Sequence, residues 1–190
     1  MEKKLKIKFN SPVVLIFGLV CLAATLLGEL TGGKITHLLF MTSHTSLTNP
    51  LTYVRFFTHV LGHSGWDHFV GNTAYILLLG PMLEEKYGSR TLIEVIALTA
   101  LITGAVNYLL FWNTGLCGAS GVVFAFILLS SFTGFKSGEI PLTFLLAALI
   151  YLGQQVLSGV FAADNISNLS HILGGLTGAF AGYVLNRKKM

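Results

Sequence analysis

The sequence predicts an all-α membrane protein, with six transmembrane helices in a single domain that spans residues 1–190. Composition is the first indication. Of the 190 residues, 53% are hydrophobic and only 11% are charged, and the mean hydropathy is +0.73. Soluble domains usually carry about 25% charged residues. The chain therefore has too few charges to cover a water-facing surface.

The spacing of the apolar segments is the second indication, and the distribution of charge is the third. Apolar segments occupy about 12–28, 66–83, 91–111, 120–133, 140–158 and 169–186. An even number of membrane spans places both termini on the same side of the membrane. With the basic termini inside, ten of the twelve Lys and Arg residues are inside, and only Lys34 and Arg55 are outside. This asymmetry follows the positive-inside rule. We expect a multi-pass protein of the cell membrane, of the bacterial inner-membrane type, with cytoplasmic termini.

The charge pattern excludes nucleic-acid binding, because the basic residues cluster at the termini and form no stripe interleaved with aromatic residues. The first segment follows Lys3, Lys4, Lys6 and Lys8 and so resembles a signal peptide. A retained helix is favoured over cleavage, because the apolar stretch is slightly long for a signal and no A-x-A site ends it.

The loop between the first two segments, about residues 29–65, carries the apolar patches 37–41 and 53–57. Such patches favour an outer loop embedded in the membrane interface. The alternative is an ordinary loop that folds onto the helix bundle.

The fourth segment is too short to span a bilayer. Its 14 residues correspond to about 21 Å of helix, whereas the hydrocarbon core is roughly 30 Å thick. The apolar stretch before it is interrupted by Asn113 and Thr114, which suggests that it dips into the outer half of the membrane. Irregular backbone at that depth must be shielded by protein or line a wet cavity. We therefore expect Ser120 to lie at a submerged helix start that opens to the outer face.

The sixth segment contains His171, followed by Gly174, Gly178 and Gly182 at four-residue intervals. This small-xxx-small spacing lets another helix approach closely, and His171 belongs to the same face. The Ser120 face of the fourth segment has no matching stripe, so we expect the close approach to come mainly from the sixth. A lone intramembrane histidine is more often a packing residue than a base.

His68 and Asn72 open the second segment and share one helical face. Both side chains donate hydrogen bonds and would suit an oxyanion hole. Ordinary hydrogen bonding between helices explains the pair equally well.

A metal site and a thiol nucleophile are the two other chemistries that single residues in the sequence suggest. His59, His63 and His68 suggest a metal site, but Val60 follows His59 where zinc hydrolases of the H-E-x-x-H type carry a glutamate. Cys117 suggests a thiol nucleophile, but no basic residue adjoins it in sequence. We therefore expect neither a metal nor a cofactor.

The serine lies in Gly118-Ala119-Ser120-Gly121, which lacks the spacing of the soluble-hydrolase motif G-x-S-x-G. Glycine permits close approach of the backbone to a substrate, and the first N–H groups of a helix are free to bind negative charge.

Taken together, these features resemble the rhomboid family of intramembrane serine proteases, in its minimal six-helix bacterial form. The resemblance runs from Tyr53 to Tyr183. It is carried by Arg55, His68, Asn72, the 84–88 stretch, the GxSG at 118–121 and His171 with its glycines. The family usually has Trp-Arg where this chain has Val54-Arg55, and a tyrosine where it has Phe124.

The resemblance implies a Ser–His dyad, with Ser120 as the nucleophile and His171 as the general base. Its oxyanion hole would comprise His68, Asn72 and the backbone N–H groups of Ser120 and Ala119. Gly118, Gly121, Phe124, Arg55, Gly174 and Gly178 would support the site. Asp67 and Asp164, the two outer-side aspartates, have no expected place beside His171.

The resemblance also implies the substrates, which would be membrane proteins cut in or near a transmembrane helix. Two alternatives remain at this point. One is a catalytically inactive rhomboid-like protein that binds transmembrane clients, and the other is a small transporter with His68, Asn72 and His171 along its path. Transporters usually show inverted repeats or paired broken helices, and only one short helix is predicted here.

Overall fold

The structure is a computed structural model that describes residues 8–134, 142–143, 145–146, 149–150, 153 and 165–187. Its helices are α1 (Pro12–Leu30), α2 (Lys34–Leu39), α3 (Pro50–Thr58), α4 (Trp66–Tyr87), α5 (Ser89–Leu110), α6 (Ser120–Ser131) and α7 (Asn165–Asn186). A 3₁₀ turn, Phe132–Gly134, follows α6. Extended pairing among the described residues is limited to one bridge between Thr42 and Leu116. The all-α prediction is confirmed. Most of the predicted fifth segment, 140–158, lies outside the described residues.

Two of the described helices, α1 and α5, are long and apolar enough to cross a membrane by length and composition. Large apolar side chains also point outward from the bundle, including Leu30 at 82% exposure and Leu78 at 73%. Apolar surface on this scale is typical of contact with lipid or with another protein. In contrast, α6 has 12 residues and measures about 18 Å. Most of its side chains are buried within the bundle.

A buried carboxylate joins the start of α1 to the end of α4. The two carboxylate oxygens of Glu84 accept hydrogen bonds from the backbone N–H groups of Val13 and Val14, each at 3.1 Å. The hydroxyl of Ser89 also donates to Glu84, at 2.7 Å. The first N–H groups of a helix have no intrahelical acceptor, and the helix dipole favours negative charge beside them. Glu84 therefore caps α1 from another helix.

The closest helix packing joins α6 to α7. A Cβ on Gly174 would overlap the carbonyl oxygen of Gly121, and a Cβ on Gly178 would overlap that of Ala125. The expectation that the close approach comes mainly from the sixth segment was therefore incomplete, because α6 contributes small residues on a face next to that of Ser120. Gly121 and Ala125 form a small-xxx-small pair of their own, one residue along from the Ser120–Phe124 face. Each helix thus supplies small residues to the contact.

The loop between α1 and α4 packs against α5. The buried Arg55 donates from Nε to the carbonyl of Leu38 at 2.8 Å, which holds α3 against the end of α2. The ring of His59 donates from Nε2 to the carbonyl of Ala100 at 3.0 Å. Further along α5, the hydroxyl of Tyr108 donates to the carbonyl of Thr45 at 2.8 Å. The loop is consequently a folded part of the bundle, whatever its position in the bilayer.

Replacing Gly178 with alanine should destabilise the protein by about 1–3 kcal/mol, because the added methyl group has to displace the backbone of α6. Thermal unfolding in detergent micelles would measure the loss. Gly71→Ala is the matched control, since a Cβ there meets no atom within 4 Å and the helix gains a better helix former. Equal unfolding temperatures for the two variants would contradict the packing described for α6 and α7.

Candidate active site

A cavity of about 350 Å³ brings the predicted site residues together. Ser120 is the first residue of α6, whereas His68 and Asn72 come from α4 and His171 comes from α7. All four line this cavity, which is also bounded by Asp67, Gly71, Tyr75, Leu116, Cys117, Val123 and Phe124. Three helices that are distant in sequence therefore contribute residues to the wall of one cavity.

Phe124 positions His171 by stacking. The two ring centroids are 4.4 Å apart and the ring planes differ by only 9°. Phe124 is one helical turn after Ser120, so it presents its ring on the same side of α6 as the serine. The family's usual tyrosine is thus replaced by a residue that keeps the stacking and lacks the hydroxyl. Such contact limits the rotation of the imidazole about its side-chain bonds.

Position 118 requires a glycine for two reasons, its backbone conformation and the close approach of a neighbouring side chain. Its φ of +128° lies in the region that favours glycine. A Cβ at this position would lie 2.5 Å from Cε1 and 2.7 Å from Nε2 of His68. The expectation was that this glycine would let backbone approach the substrate. In the structure, the group it admits is the imidazole of His68, which packs against the turn that leads to Ser120.

Asn72 offers a hydrogen-bond donor to the cavity. The side chain is 7% exposed, and its buried Nδ2 has no hydrogen-bond partner among the described residues. An unpaired buried amide is unfavourable, so such a group usually has a role. Because Asn72 lines the same cavity as Ser120, this N–H is available to an atom that enters the cavity.

His68 is oriented by a residue that the sequence did not indicate. Ser64 Oγ lies 3.0 Å from Nδ1 of His68. If the hydroxyl donates, Nδ1 is the acceptor, and a neutral ring then carries its proton on Nε2. Nε2 is the nitrogen that faces Gly118. The spacing of Ser64 and His68 was visible in the sequence, but a serine before the helix start has many other uses.

Two backbone N–H groups of the turn before Ser120 are already bonded. Gly118 donates to the carbonyl of His59 at 2.9 Å, and Ala119 donates to Nε2 of His63 in a long bond of 3.5 Å. Burial, reinforced by the nearby His68, lowers the pKa of His63 to about 4, so its ring is neutral and can accept. The Ala119 N–H is therefore directed toward His63, and its place in the oxyanion hole stays a prediction.

His59, His63 and His68 each have a different hydrogen-bond partner, although the rings of His63 and His68 also meet edge to face, with centroids 5.1 Å apart. His59 bonds to Ala100 on α5, His63 bonds to the turn before Ser120, and His68 bonds to Ser64. Burial also lowers the pKa of His59 to about 4. Within the part of the chain that the structure describes, no three His, Cys, Asp or Glu residues are grouped as metal ligands would be.

Asp67 and His171 line the same cavity, although the sequence predicts no place for Asp67 beside His171. No hydrogen bond or salt bridge joins the Asp67 carboxylate to a described residue, so that expectation stays a prediction. The side chain is exposed and belongs to the first turn of α4. Asp164 lies outside the described residues. The supporting residues Arg55, Gly174 and Gly178 are not part of the cavity wall, and they hold the elements that form it.

The fold and the cavity define a helical bundle in which Ser120 and His171 line one cavity. The Rhomboid domain profile matches residues 50–188, and the chain belongs to the rhomboid family. Membership of this family makes it a membrane protein.

Three curated relatives are proteases by name. Rhomboid protease GluP of Bacillus subtilis is 30% identical over 155 residues, which cover 80% of this chain and 30% of the relative. Rhomboid protease GlpG of Haemophilus influenzae is 26% identical over 134 residues, 68% of each chain. Rhomboid protease GlpG of Enterobacter sp. is 29% identical over 140 residues, 71% of this chain and 50% of the relative. The chain thus spans less than a third of the Bacillus relative.

The thiol of Cys117 should be almost inert at neutral pH, because burial raises its pKa to about 11. Only the thiolate attacks alkylating reagents, so its alkylation should accelerate about tenfold per pH unit and level off only near pH 11. The rate can be followed by mass spectrometry in a Cys21→Ala background. A rate that is already maximal at pH 8 would show a thiolate and would restore Cys117 as a candidate nucleophile.

Proposed function

We propose that the protein is an intramembrane serine endopeptidase that cuts membrane proteins in or near a transmembrane helix. The single observation that supports this most is the convergence of Ser120, His171, His68 and Asn72 on one cavity. Each residue belongs to a different turn or helix, and each supplies a group that acyl transfer needs. The protease names of the relatives agree with the proposal.

In the proposed reaction, His171 takes the proton of the Ser120 hydroxyl while Oγ attacks the carbonyl carbon of the scissile bond. His171 then gives the proton to the leaving amine, which departs and leaves an acyl-enzyme. A water molecule, deprotonated by the same imidazole, hydrolyses the acyl-enzyme and restores Ser120. A dyad suffices, because a third residue mainly orients the base and stabilises its charged form. Stacking on Phe124 supplies orientation here.

The negative charge on the carbonyl oxygen is stabilised by three donors. They are Nδ2 of Asn72, Nε2 of His68 and the backbone N–H of Ser120. Asn72 is the strongest of these assignments, since its buried Nδ2 has no partner among the described residues. The Ala119 N–H is left out, because it donates to His63. Donors held in place before the reaction need no reorganisation when the charge forms.

The membrane arrangement is proposed from charge and length. Six spans, an outer loop at the membrane interface and cytoplasmic termini would put the start of α6 toward the outer face. The shortness of α6 would leave Ser120 below the surface, with the cavity as its access to water. Substrates would have to unwind locally, because a helix hides its carbonyls in hydrogen bonds.

Ser120→Ala and His171→Ala should each abolish cleavage, because they remove the nucleophile and the base. The assay reconstitutes the full chain in liposomes with a single-span membrane protein and follows the cleaved fragment. Cys117→Ala is the control and should retain activity, since its thiol is protonated at neutral pH. Undiminished cleavage by Ser120→Ala would disprove the mechanism. Client binding without cleavage by the wild-type chain would instead favour the inactive rhomboid-like alternative.

Ser64→Ala should lower kcat about tenfold and leave KM nearly unchanged, because His68 loses the partner that keeps its proton on Nε2. Ser64→Thr retains a hydroxyl and should restore most of the activity. Both variants should unfold at the wild-type temperature, since Ser64 is exposed. The assignment fails if Ser64→Ala has wild-type kinetics or if Ser64→Thr is equally impaired.

A further inference from the structure

Asp67 introduces a negative charge at the catalytic cavity. It is the only acidic residue among the described residues that line this cavity, and no Lys or Arg is among them. No salt bridge or side-chain hydrogen bond joins its carboxylate to another described residue. The carboxylate is also exposed, so a charge on another molecule can reach it.

The position of Asp67 along α4 sets where such a charge would lie. Asp67 is in the first turn of the helix, whereas Tyr75, on the same cavity wall, is eight residues further on. Eight residues correspond to about 12 Å along a helix. The start of α4 faces the outer side in the proposed topology. The cavity therefore has a negative outer end and an uncharged inner end.

The helix start explains why an aspartate is stable at this position, since the helix dipole favours negative charge there. The helix dipole does not cancel the attraction or repulsion of a ligand by this carboxylate, because the carboxylate is exposed to the ligand. A substrate segment in the cavity would pass this carboxylate on its way to Ser120. A lysine or arginine would be attracted and a glutamate would be repelled.

We propose that Asp67 makes the catalytic cavity select substrates that carry a basic side chain on the outer side of the scissile bond. This inference rests on the proposed protease function, and it adds the class of substrate. Asp67 acts here as a specificity-determining residue, because its carboxylate contacts the substrate side chain and takes no part in the proton transfers.

The test uses the full chain in liposomes and single-span substrates that differ only in one residue on the outer side of the cut, which is lysine, glutamine or glutamate. The wild-type chain should give the highest kcat/KM for lysine and the lowest for glutamate. Asp67→Asn should lower kcat/KM for the lysine substrate about fivefold, which is the size of effect expected from an exposed ion pair. It should leave kcat/KM for the glutamine substrate unchanged. Asp67→Lys should reverse the order. The preference should shrink at high salt.

Glu29→Gln is the matched control, since Glu29 is exposed on the outer side but borders a different cavity. It should leave the substrate order unchanged. An equal loss on all three substrates, with a shifted pH profile, would overturn the proposal and assign Asp67 to His171 instead. Wild-type kinetics for Asp67→Asn would overturn it as well. If the wild-type chain cut none of the substrates, the protease function itself would fail, whereas uniform cleavage by the wild type would reject only the role of Asp67.

Discussion

The backbone contact between α6 and α7 determines where His171 lies relative to Ser120. Gly174 and Gly178 allow α7 to rest on the carbonyl oxygens of Gly121 and Ala125, with no side chain between the two backbones at these positions. Any methyl group at these glycines would push α7 outward. Because His171 is one turn before Gly174, the same displacement would move the imidazole away from the serine. Catalysis in this fold would therefore depend on residues that have no reactive group.

The turn before Ser120 is held by a second set of contacts, which come from the loop between α1 and α4. The carbonyl of His59 and the ring of His63 bind consecutive N–H groups of this turn, at Gly118 and Ala119. His59 is itself tied to α5 through Ala100. The loop between α1 and α4 thus directly supports the turn that leads to Ser120. Burial lowers the pKa of His59 and of His63 to about 4, so both rings are neutral through the physiological range and these contacts do not depend on pH.

Several polar side chains of the interior connect separate elements of the bundle. Glu84, Arg55 and His59 are buried and bonded to backbone groups of other elements. Buried polar groups are costly when they lack partners, so these residues connect the elements that they join. Four buried side-chain atoms among the described residues have no partner, namely Nδ1 of His59, Nδ1 of His63, Oδ1 of Asn107 and Nδ2 of Asn72. Of these residues, Asn72 lines the cavity beside Ser120, where an atom that enters the cavity would supply the missing acceptor.

The sequence by itself determined the all-α class, the apolar character and the start of α6 at Ser120. These features follow from composition and from the lengths and interruptions of the apolar segments, which are local properties of the chain. It also made Ser120, His171, His68 and Asn72 the candidate site residues through their resemblance to a family, and the domain match shows that the chain belongs to that family. Only the tertiary structure decided which groups each residue faces. The pairing of Gly121 and Ala125 with α7, the bond of Ala119 to His63, and the position of Asp67 on the cavity wall depend on how separate helices pack. These arrangements involve residues far apart in the chain, and no local pattern in the sequence encodes them. The contact of Ser64 with His68 is local, but its spacing alone did not distinguish it from other uses of a serine.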